Sequence, residues 1–335
     1  MTKKKVALVT GGYQGEAVIS YQSAENVARH LDTDQYDIYK IDITESGWFF
    51  SDGCGVKQNV DKTDFSIHVN GEKIRFDIAF MCIHGAPGED GRLPGYFDMI
   101  GLPYTGCSAA VSALTFNKRY TVAVAGFAGI DVAKSVLAFK GESPDLTEIK
   151  SLHFPVFVKP NNGGSSIGMS RLSDKNDDEI LAAIRKAYET GKDTQVLIEE
   201  QVKGREFTIG VLRDASGEIV TLPMTEIILK KGRDVFDFEA KYNGETTETT
   251  PADAPQDVAD QVAATAKKVY QALNCSGVVR IDFIYNEASG RPFMLEVNTV
   301  PGQTKESLIP KQVKAKGWTL KDFYSGLIEA GLSKL

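Results

Sequence analysis

Cysteine is scarce in this chain. Cys54, Cys82, Cys107 and Cys275 stand far apart, with no C-x-x-C pair. That spacing speaks against a disulfide framework and a cysteine zinc site, and it fits free thiols in a reducing compartment. No apolar run approaches the roughly 18 residues that a membrane span needs. The basic start, Met1-Thr2-Lys3-Lys4-Lys5, leads into a short strand-like run closed by Gly11-Gly12 and lacks the hydrophobic core of an export signal. The expectation is a soluble cytoplasmic protein without a membrane partner. Positive charge is also in deficit. The net charge is −7, so no global field favours nucleic acid, although local lysines can still gather a small anion. Two nucleotide fingerprints are missing. Gly11-Gly12-Tyr13-Gln14-Gly15 lacks the G-x-G-x-x-G spacing of a dinucleotide site, and no G-K-[ST] ending marks a Walker A loop. Internal repeats and low-complexity tracts are absent as well.

What is present is ordinary globular composition, 42% hydrophobic and 25% charged over 335 residues, enough for two or three compact lobes. Residues 6–10 read as a buried parallel strand, 20–31 as a helix and 36–43 as a strand. Asn70-Gly71 divides a hairpin over 65–76, and 78–83 is a strand ending at His84-Gly85. This order predicts an α/β layer with ligands at the carboxyl ends of its strands, where 11–16 and 84–90 fall. A second unit begins near Gly106 or Cys107. Strands are predicted over 132–139, 155–159 and 195–199, a helix over 178–188, and a strand pair over 207–212 and 219–223. Residues 230–255 are polar and aperiodic, as for a loop with a function. Pro255 opens a helix to Leu273, and a last helix covers 320–330.

Two neighbouring segments carry the chemistry. In Arg280-Ile281-Asp282-Phe283 and Leu295-Glu296-Val297-Asn298, hard oxygen carriers alternate with apolar residues. Glu296 and Asn298, two apart on a strand, share a face that Asp282 can meet across the ladder. Ile281, Phe283, Leu295 and Val297 would then enter the core. Such oxygens suit Mg²⁺ beside nucleotide phosphates; taken alone, the pair also reads as two strands with solvated outer faces. Residues 159–168, Lys-Pro-Asn-Asn-Gly-Gly-Ser-Ser-Ile-Gly, follow an apolar strand. Their glycines allow close backbone approach to phosphate, with Lys159 as a point charge; the bland alternative is a flexible turn. Glu199 ends a strand where an adenine edge could dock, and Lys118 opens a helix. Each of these alone is more often surface.

Taken together these residues resemble the D-alanine–D-alanine ligases, members of the ATP-grasp superfamily. The resemblance runs nearly end to end through Gly11-Gly12 with Glu16, Ile83-His84-Gly85, Gly88-Glu89-Asp90-Gly91, Val158-Lys159-Pro160, Gly164 to Met169, Glu239-Ala240-Lys241-Tyr242, Gly277 to Asp282, Glu296 to Gly302 and Ser307 to Pro310. It implies an α/β ATP-grasp fold with an N-terminal Rossmann-like parallel-sheet lobe over 1–106, a central lobe over 107–199 and a C-terminal lobe over 200–335. It also implies ligation of two D-alanines with ATP, through a D-alanyl phosphate, for peptidoglycan. By matching position, Glu16 would hold the first ammonium, oriented by Ser165 and Tyr242. Lys118, Lys159 and Ser166 would bind ATP phosphates, while Glu199, Val202 and Glu206 would line adenine and ribose. Lys241 would reach the transferred phosphate, and Arg280 with the Gly302 backbone would stabilise the oxyanion. Asp282, Glu296 and Asn298 would ligate Mg²⁺, expected as two ions with Mn²⁺ able to substitute. His84, Ser307 and Leu308 would hold substrate, the last two through the second carboxylate. A lid over 230–251 and a homodimer through the first lobe are further implications.

The chain departs from the family pattern in places. Ala17-Val18-Ile19-Ser20 follows Glu16 where Arg-Glu-Val-Ser is usual, Gln303 replaces a Met, and Glu200-Gln201 stands at the adenine-side pair. The nearest alternatives are a D-alanine–D-lactate ligase or another ATP-grasp carboxylate–amine ligase. A non-catalytic nucleotide sensor would be expected to lose the metal residues or Arg280.

Overall fold

The computed structural model describes residues 2–13, 15–51, 57–164, 167–191, 193–214, 216–229 and 246–333. The chain starts with β1 (Lys4–Gly11), α1 (Ala17–His30) and β2 (Tyr36–Thr44), then β3 (Gly47–Ser51), β4 (Lys57–Asn59), β5 (Ile67–Val69), β6 (Glu72–Ile74) and β7 (Ile78–Met81). The first sheet has the order β4-β3-β2-β1-β7. Its centre is parallel: β1 pairs with β2 on one side and β7 on the other. Val6 to Val9 are fully buried, because helices or loops cover both faces of a central parallel strand. The Asn70-Gly71 hairpin forms where predicted but is short, pairing β5 with β6. Both turn residues have positive φ, 51° and 83°, which the Asn-Gly pair tolerates.

Helices α2 (Arg92–Ile100), α3 (Ala109–Phe116) and α4 (Lys118–Phe127) follow. The second sheet is antiparallel, with order β10-β9-β11-β8, from β8 (Ser135–Phe139), β9 (Val156–Pro160), β10 (Ser170–Leu172) and β11 (Gln195–Glu200). Between these run α5 (Leu146–Lys150) and α6 (Asp177–Gly191). Helix α6 begins with Asp177, Asp178 and Glu179, which complement the positive end of its dipole. It buries Ile180, Ala183, Ile184 and Ala187, an i, i+3, i+4, i+7 stripe, whereas Leu181, one of the residues whose spacing predicts the helix, is only partly buried.

The third sheet is built from β12 (Arg205–Arg213), β13 (Ile219–Thr221), β14 (Thr225–Leu229), β15 (Thr246–Thr249), β16 (Val279–Asn286) and β17 (Arg291–Asn298). Its order is β15-β14-β12-β16-β17, with β13 on β12. Helix α7 (Gln256–Ala272) packs on it through Val258, Val262, Ala266 and Val269. Helices α8 (Leu308–Ala315) and α9 (Leu320–Leu332) end the chain and share a core with α1, β1 and β7. The C-terminal helices therefore brace the first sheet, and the loops after β7 and after β17 meet. Gly106 and Gly277 mark another close crossing: a Cβ on Gly277, whose φ is +65°, would lie 2.6 Å from the Gly106 nitrogen.

Three predictions need correction. The strand expected over 132–139 starts only at Ser135. Val132 instead bridges to Met294, and Asp131 accepts a hydrogen bond from the Met294 N–H, so this stretch is drawn to the edge of the third sheet. The aperiodic segment is not loop throughout: Thr246–Thr249 is β15, a threonine-rich stretch suited to a strand, paired with β14. Residues 230–245 lie outside the described residues. Leu295 does not enter the core, for a reason that belongs to the site.

Candidate functional site

A cavity of about 540 Å³ opens between the second and third sheets. Lys118, Lys159, Glu199, Val202, Glu206, Asp282 and Glu296 all line it, so seven predicted residues from distant parts of the chain converge. Lys159 reaches it from β9 and Glu199 from β11, paired neighbours in one sheet. Their side chains form an ion pair that is 16% and 10% exposed. Such a pair is strained if either charge is removed, because the other stays desolvated. Lys118 arrives by a different route. Asn117 caps α4 by accepting the Tyr120 N–H at 3.0 Å, a satisfied first turn. The same end is tied to the loop after β9 by Lys118 N–H to the Asn161 carbonyl and Arg119 N–H to Asn161 Oδ1. The Lys118 ammonium then bonds the Gly163 carbonyl. Gly163 has φ +100°, the left-handed conformation that lets the loop fold back over the cavity.

The opposite wall is β16 and β17. Strict alternation along β16 sends Ile281, Phe283 and Tyr285 into the core and leaves Asp282 and Ile284 on the cavity. Asp282 stands opposite Glu296, and Arg280 opposite Asn298. The ladder slips between Asp282 and Phe283, where β17 carries one extra residue. Met294 and Val297 both enter the core although they are three apart, which alternation alone forbids. The extra residue is Leu295, turned onto the cavity beside Glu296. A bulge of this kind breaks the period of two, which is why the sequence pattern misplaces Leu295.

Asp282 is held from several sides. It accepts two N–H bonds from Arg280, at 2.9 and 2.8 Å, the Thr208 hydroxyl, and the Asn298 amide at 3.3 Å. Arg280 is held strongly as a cation. Burial opposes its charge, but Asp282, Glu296 and Glu89 together more than offset this. Asp282, Glu296 and Asn298 offer hard oxygens on one face, a donor set that fits Mg²⁺. Among the described residues no group of three His, Cys, Asp or Glu side chains converges as a metal cluster, so any ion here would draw on the Asn298 amide oxygen and on ligands of its own.

A second group of predicted residues sits deeper, where the first sheet meets the loop after β17. Glu16 starts α1 without a side-chain cap bond. A Cβ on Gly164 would lie 3.1 Å from its Oε1, so Glu16 faces the end of the phosphate-type loop. Gly302 lies against Ser307: an added Cβ would come 2.6 Å from Ser307 Oγ and 4.0 Å from His84 Cε1. Ser307 precedes Leu308, the first residue of α8, a helix start that favours anions. His84 is pushed down to about 4 by burial, with the Val300 carbonyl opposing that fall and Arg280 adding to it. It is therefore neutral at physiological pH. Its Nε2 meets Ser23 Oγ at 3.2 Å, and Ser23 Oγ also accepts the Gln303 N–H. Gln303, a departure from the family pattern, is 4% exposed and satisfied at every polar group: Asn26, Tyr324 and Pro301 complete its bonds. Ser165, Ser166, Lys241 and Tyr242 lie outside the described residues.

Several residues that this site uses have no local signal. Thr208 reaches Asp282 only through the β12–β16 register. Arg205 and Glu226 form a two-bond pair on the cavity wall, at 2.7 and 2.8 Å, across strands that only the folded sheet makes neighbours. Glu89 belongs to a recognisable motif, but nothing in its spacing says that its carboxylate turns inward.

Two family profiles match: "D-ala D-ala ligase N-terminus" over residues 5–107 and "D-ala D-ala ligase C-terminus" over 117–329. A D-alanine--D-alanine ligase of Flavobacterium johnsoniae is 42% identical over 331 residues, covering 98% of this chain and 100% of that protein. Among solved structures, the VanG D-Ala:D-Ser ligase of Enterococcus faecalis superposes with a TM-score of 0.87 at 32% identity, covering 98% of this chain and 99% of that one. The D-alanine--D-alanine ligase of Bacillus anthracis complexed with ATP superposes with a TM-score of 0.77 at 26% identity, covering 99% and 98%. The two facing antiparallel sheets are thus an ATP-grasp fold, and the chain belongs to the D-alanine–D-alanine ligase family.

Proposed function

We propose that this protein joins two D-alanines in an ATP-dependent ligation, forming ADP, phosphate and D-alanyl-D-alanine for peptidoglycan. The observation that carries this reading is the cavity itself: two lysines on one wall face two carboxylates on the other, in a chain similar over its whole length to ligases of that name. The first carboxylate attacks the terminal phosphorus of ATP, ADP leaves, and a D-alanyl phosphate forms. The amine of the second D-alanine then attacks the acyl carbon, and phosphate leaves with the electron pair. Positioning and charge stabilisation supply most of the acceleration in such transfers.

The chain's own groups divide this work. Lys118 and Lys159 hold ATP phosphates, and Glu199, Val202 and Glu206 line adenine and ribose. Glu16 holds the first ammonium. Arg280, fixed by its two bonds to Asp282, stabilises the oxyanion with the Gly302 N–H. Ser307 and Leu308, at the start of α8, take the second carboxylate, and His84 packs beside them as a neutral ring. Mg²⁺, held by Asp282, Glu296 and Asn298, would neutralise phosphate oxygens. Roles for Ser165, Ser166, Lys241 and Tyr242, and a lid over 230–251, rest on the sequence resemblance. So do lobes divided after 106 and 199, a homodimer through the first lobe and a cytoplasmic location.

The decisive experiment follows ADP, phosphate and dipeptide with D-alanine against L-alanine. ADP and phosphate should appear in step with the dipeptide, and only with the D-isomer. Release of AMP and pyrophosphate would overturn the proposal. Chelation with EDTA should abolish turnover and added Mg²⁺ restore it, whereas Glu296→Gln should lower turnover at least tenfold while leaving the thermal midpoint nearly unchanged. Sedimentation at micromolar concentration tests the dimer.

A further inference from the structure

Glu89 is a carboxylate near the site that these roles leave unused and that no basic side chain among the described residues pairs with. It sits in the loop between β7 and α2. Its Oε2 accepts the Gly85 N–H at 2.8 Å, and its Oε1 accepts the Val300 N–H at 3.1 Å. It thereby spans from the first sheet to the loop after β17. Each oxygen of an ionised carboxylate can accept about two hydrogen bonds, so one direction on each remains open. No lysine, arginine or histidine among the described residues forms an ion pair with it. Arg280 is close enough to act on it electrostatically but spends its hydrogen bonds on Asp282. A buried carboxylate without a cation is costly, and a ligand ammonium is the group that would complete it. The residue as a whole is half-buried.

Its surroundings match that use. Glu16, from the start of α1, and Arg280, from β16, are the charged groups that act on it. His84, from its own loop, is neutral, and the neighbouring Asp90 and Arg92 pair with each other. Glu89 is therefore within electrostatic reach of both the residue assigned to the first ammonium and the residue assigned to the oxyanion. Resting on the ligase reading above, we propose that Glu89 binds the ammonium of the second D-alanine and accepts its proton before attack. The proton moves from nitrogen to a Glu89 oxygen, leaving a neutral amine. The amine forms the C–N bond, the bond from acyl carbon to phosphate oxygen breaks, and the phosphate leaves with that electron pair. The second ammonium proton leaves with phosphate or solvent, and Glu89 returns its own proton to solvent.

Burial raises the Glu89 carboxyl to about 7, aided by the Glu16 charge and opposed by the Gly85 and Val300 N–H groups and by Arg280. A carboxyl in that range is a better proton acceptor than an ordinary one, because its acidity lies closer to working pH. The dipeptide-forming step should therefore quicken as pH rises through about 7.

The test compares two nucleophiles on wild type and Glu89→Gln. Hydroxylamine is uncharged near neutral pH and needs no deprotonation before attack, so D-alanyl hydroxamate reports the acyl phosphate without the proposed step. Glu89→Gln should lower dipeptide formation by at least a hundredfold and lose the limb near pH 7. ADP release with hydroxylamine, and hydroxamate yield, should stay within a few fold. If hydroxamate falls together with dipeptide, Glu89 only holds the loops and the proposal is wrong. A raised KM for the first D-alanine with slow acyl phosphate formation would move Glu89 to the other ammonium and equally overturn it. So would a dipeptide rate that keeps its value and its pH limb. Should Glu89→Gln fail to fold, Glu89→Asp, which keeps the acid at shorter reach, must show the same split between nucleophiles. Wild type that makes neither ADP nor hydroxamate from ATP and D-alanine would overturn the ligase reading itself.

Discussion

Lys159 and Glu199 form a charged pair on the cavity wall. Each neutralises the other in a largely dry setting. Replacing Lys159 with Met should leave the Glu199 carboxylate stranded and cost about 3 kcal/mol of stability, read from urea unfolding at neutral pH. Glu199→Gln together with Lys159→Met should recover most of that loss, and failure to recover would show that the pair is not coupled. Thr208 makes a sharper case. Its hydroxyl is one of the donors on Asp282, and Thr208→Val keeps the shape while removing the donor. Stability should fall by about 1–2 kcal/mol. Turnover should fall more than ATP binding does, because Asp282 orients Arg280 and lies on the face proposed to hold Mg²⁺. Equal losses in both would mean that Thr208 serves packing alone.

At the scale of elements, α4 and β17 carry the site in different ways. Helix α4 delivers Lys118 only because Asn117 caps it and Asn161 receives its first turn. Asn117→Ala should cost about 1 kcal/mol and raise the KM for ATP, whereas a distant cap such as Asp145 on α5 should affect stability alone when replaced. Strand β17 delivers Glu296 and Asn298 through its bulge. Deleting Leu295 would leave Met294 and Val297 facing the core and Glu296 and Asn298 facing the cavity, in a regular ladder. The deletion variant is thus expected to fold, with a cavity altered only where Leu295 stood; a failure to fold would show that the extra twist of the bulge is itself required. Much of this architecture is legible in the sequence. The run at 6–10 and the stripe of α6 announce themselves by period, and Glu296 and Asn298 by their spacing of two. Leu295 does not, because a bulge is set by the partner strand and not by the strand's own pattern. Glu89 does not either, since its partner Val300 is 211 positions away. Helices α2 and α3 escape the reading as well.

For the whole molecule, the meeting of first sheet and C-terminal loops brings two oppositely tuned acids onto one residue, Val300. The Val300 N–H binds Glu89, and the Val300 carbonyl faces His84. His84 has its folded value lowered from 6.5 to about 4, and Glu89 has its value raised from 4.5 to about 7. Between about 4 and 6.5 the unfolded chain takes up the histidine proton and the native state does not, so this residue makes the fold gain stability as pH rises. Between about 4.5 and 7 the native state keeps the Glu89 proton that the unfolded chain has shed, so this residue makes the fold lose stability as pH rises. Each contribution amounts to about 3 kcal/mol at most, from about 1.4 kcal/mol for each unit of displacement. Because the windows overlap and the signs oppose, the two slopes nearly cancel, and proton uptake on unfolding through mildly acid pH should owe little to this pair. Single variants should unmask them: His84→Gln should leave a stability that declines from pH 4.5 to 7, and Glu89→Gln one that climbs from pH 4 to 6.5. The two groups that grip Val300 from either side thus act as a proton buffer for the fold, holding its stability level across the range in which either alone would tilt it.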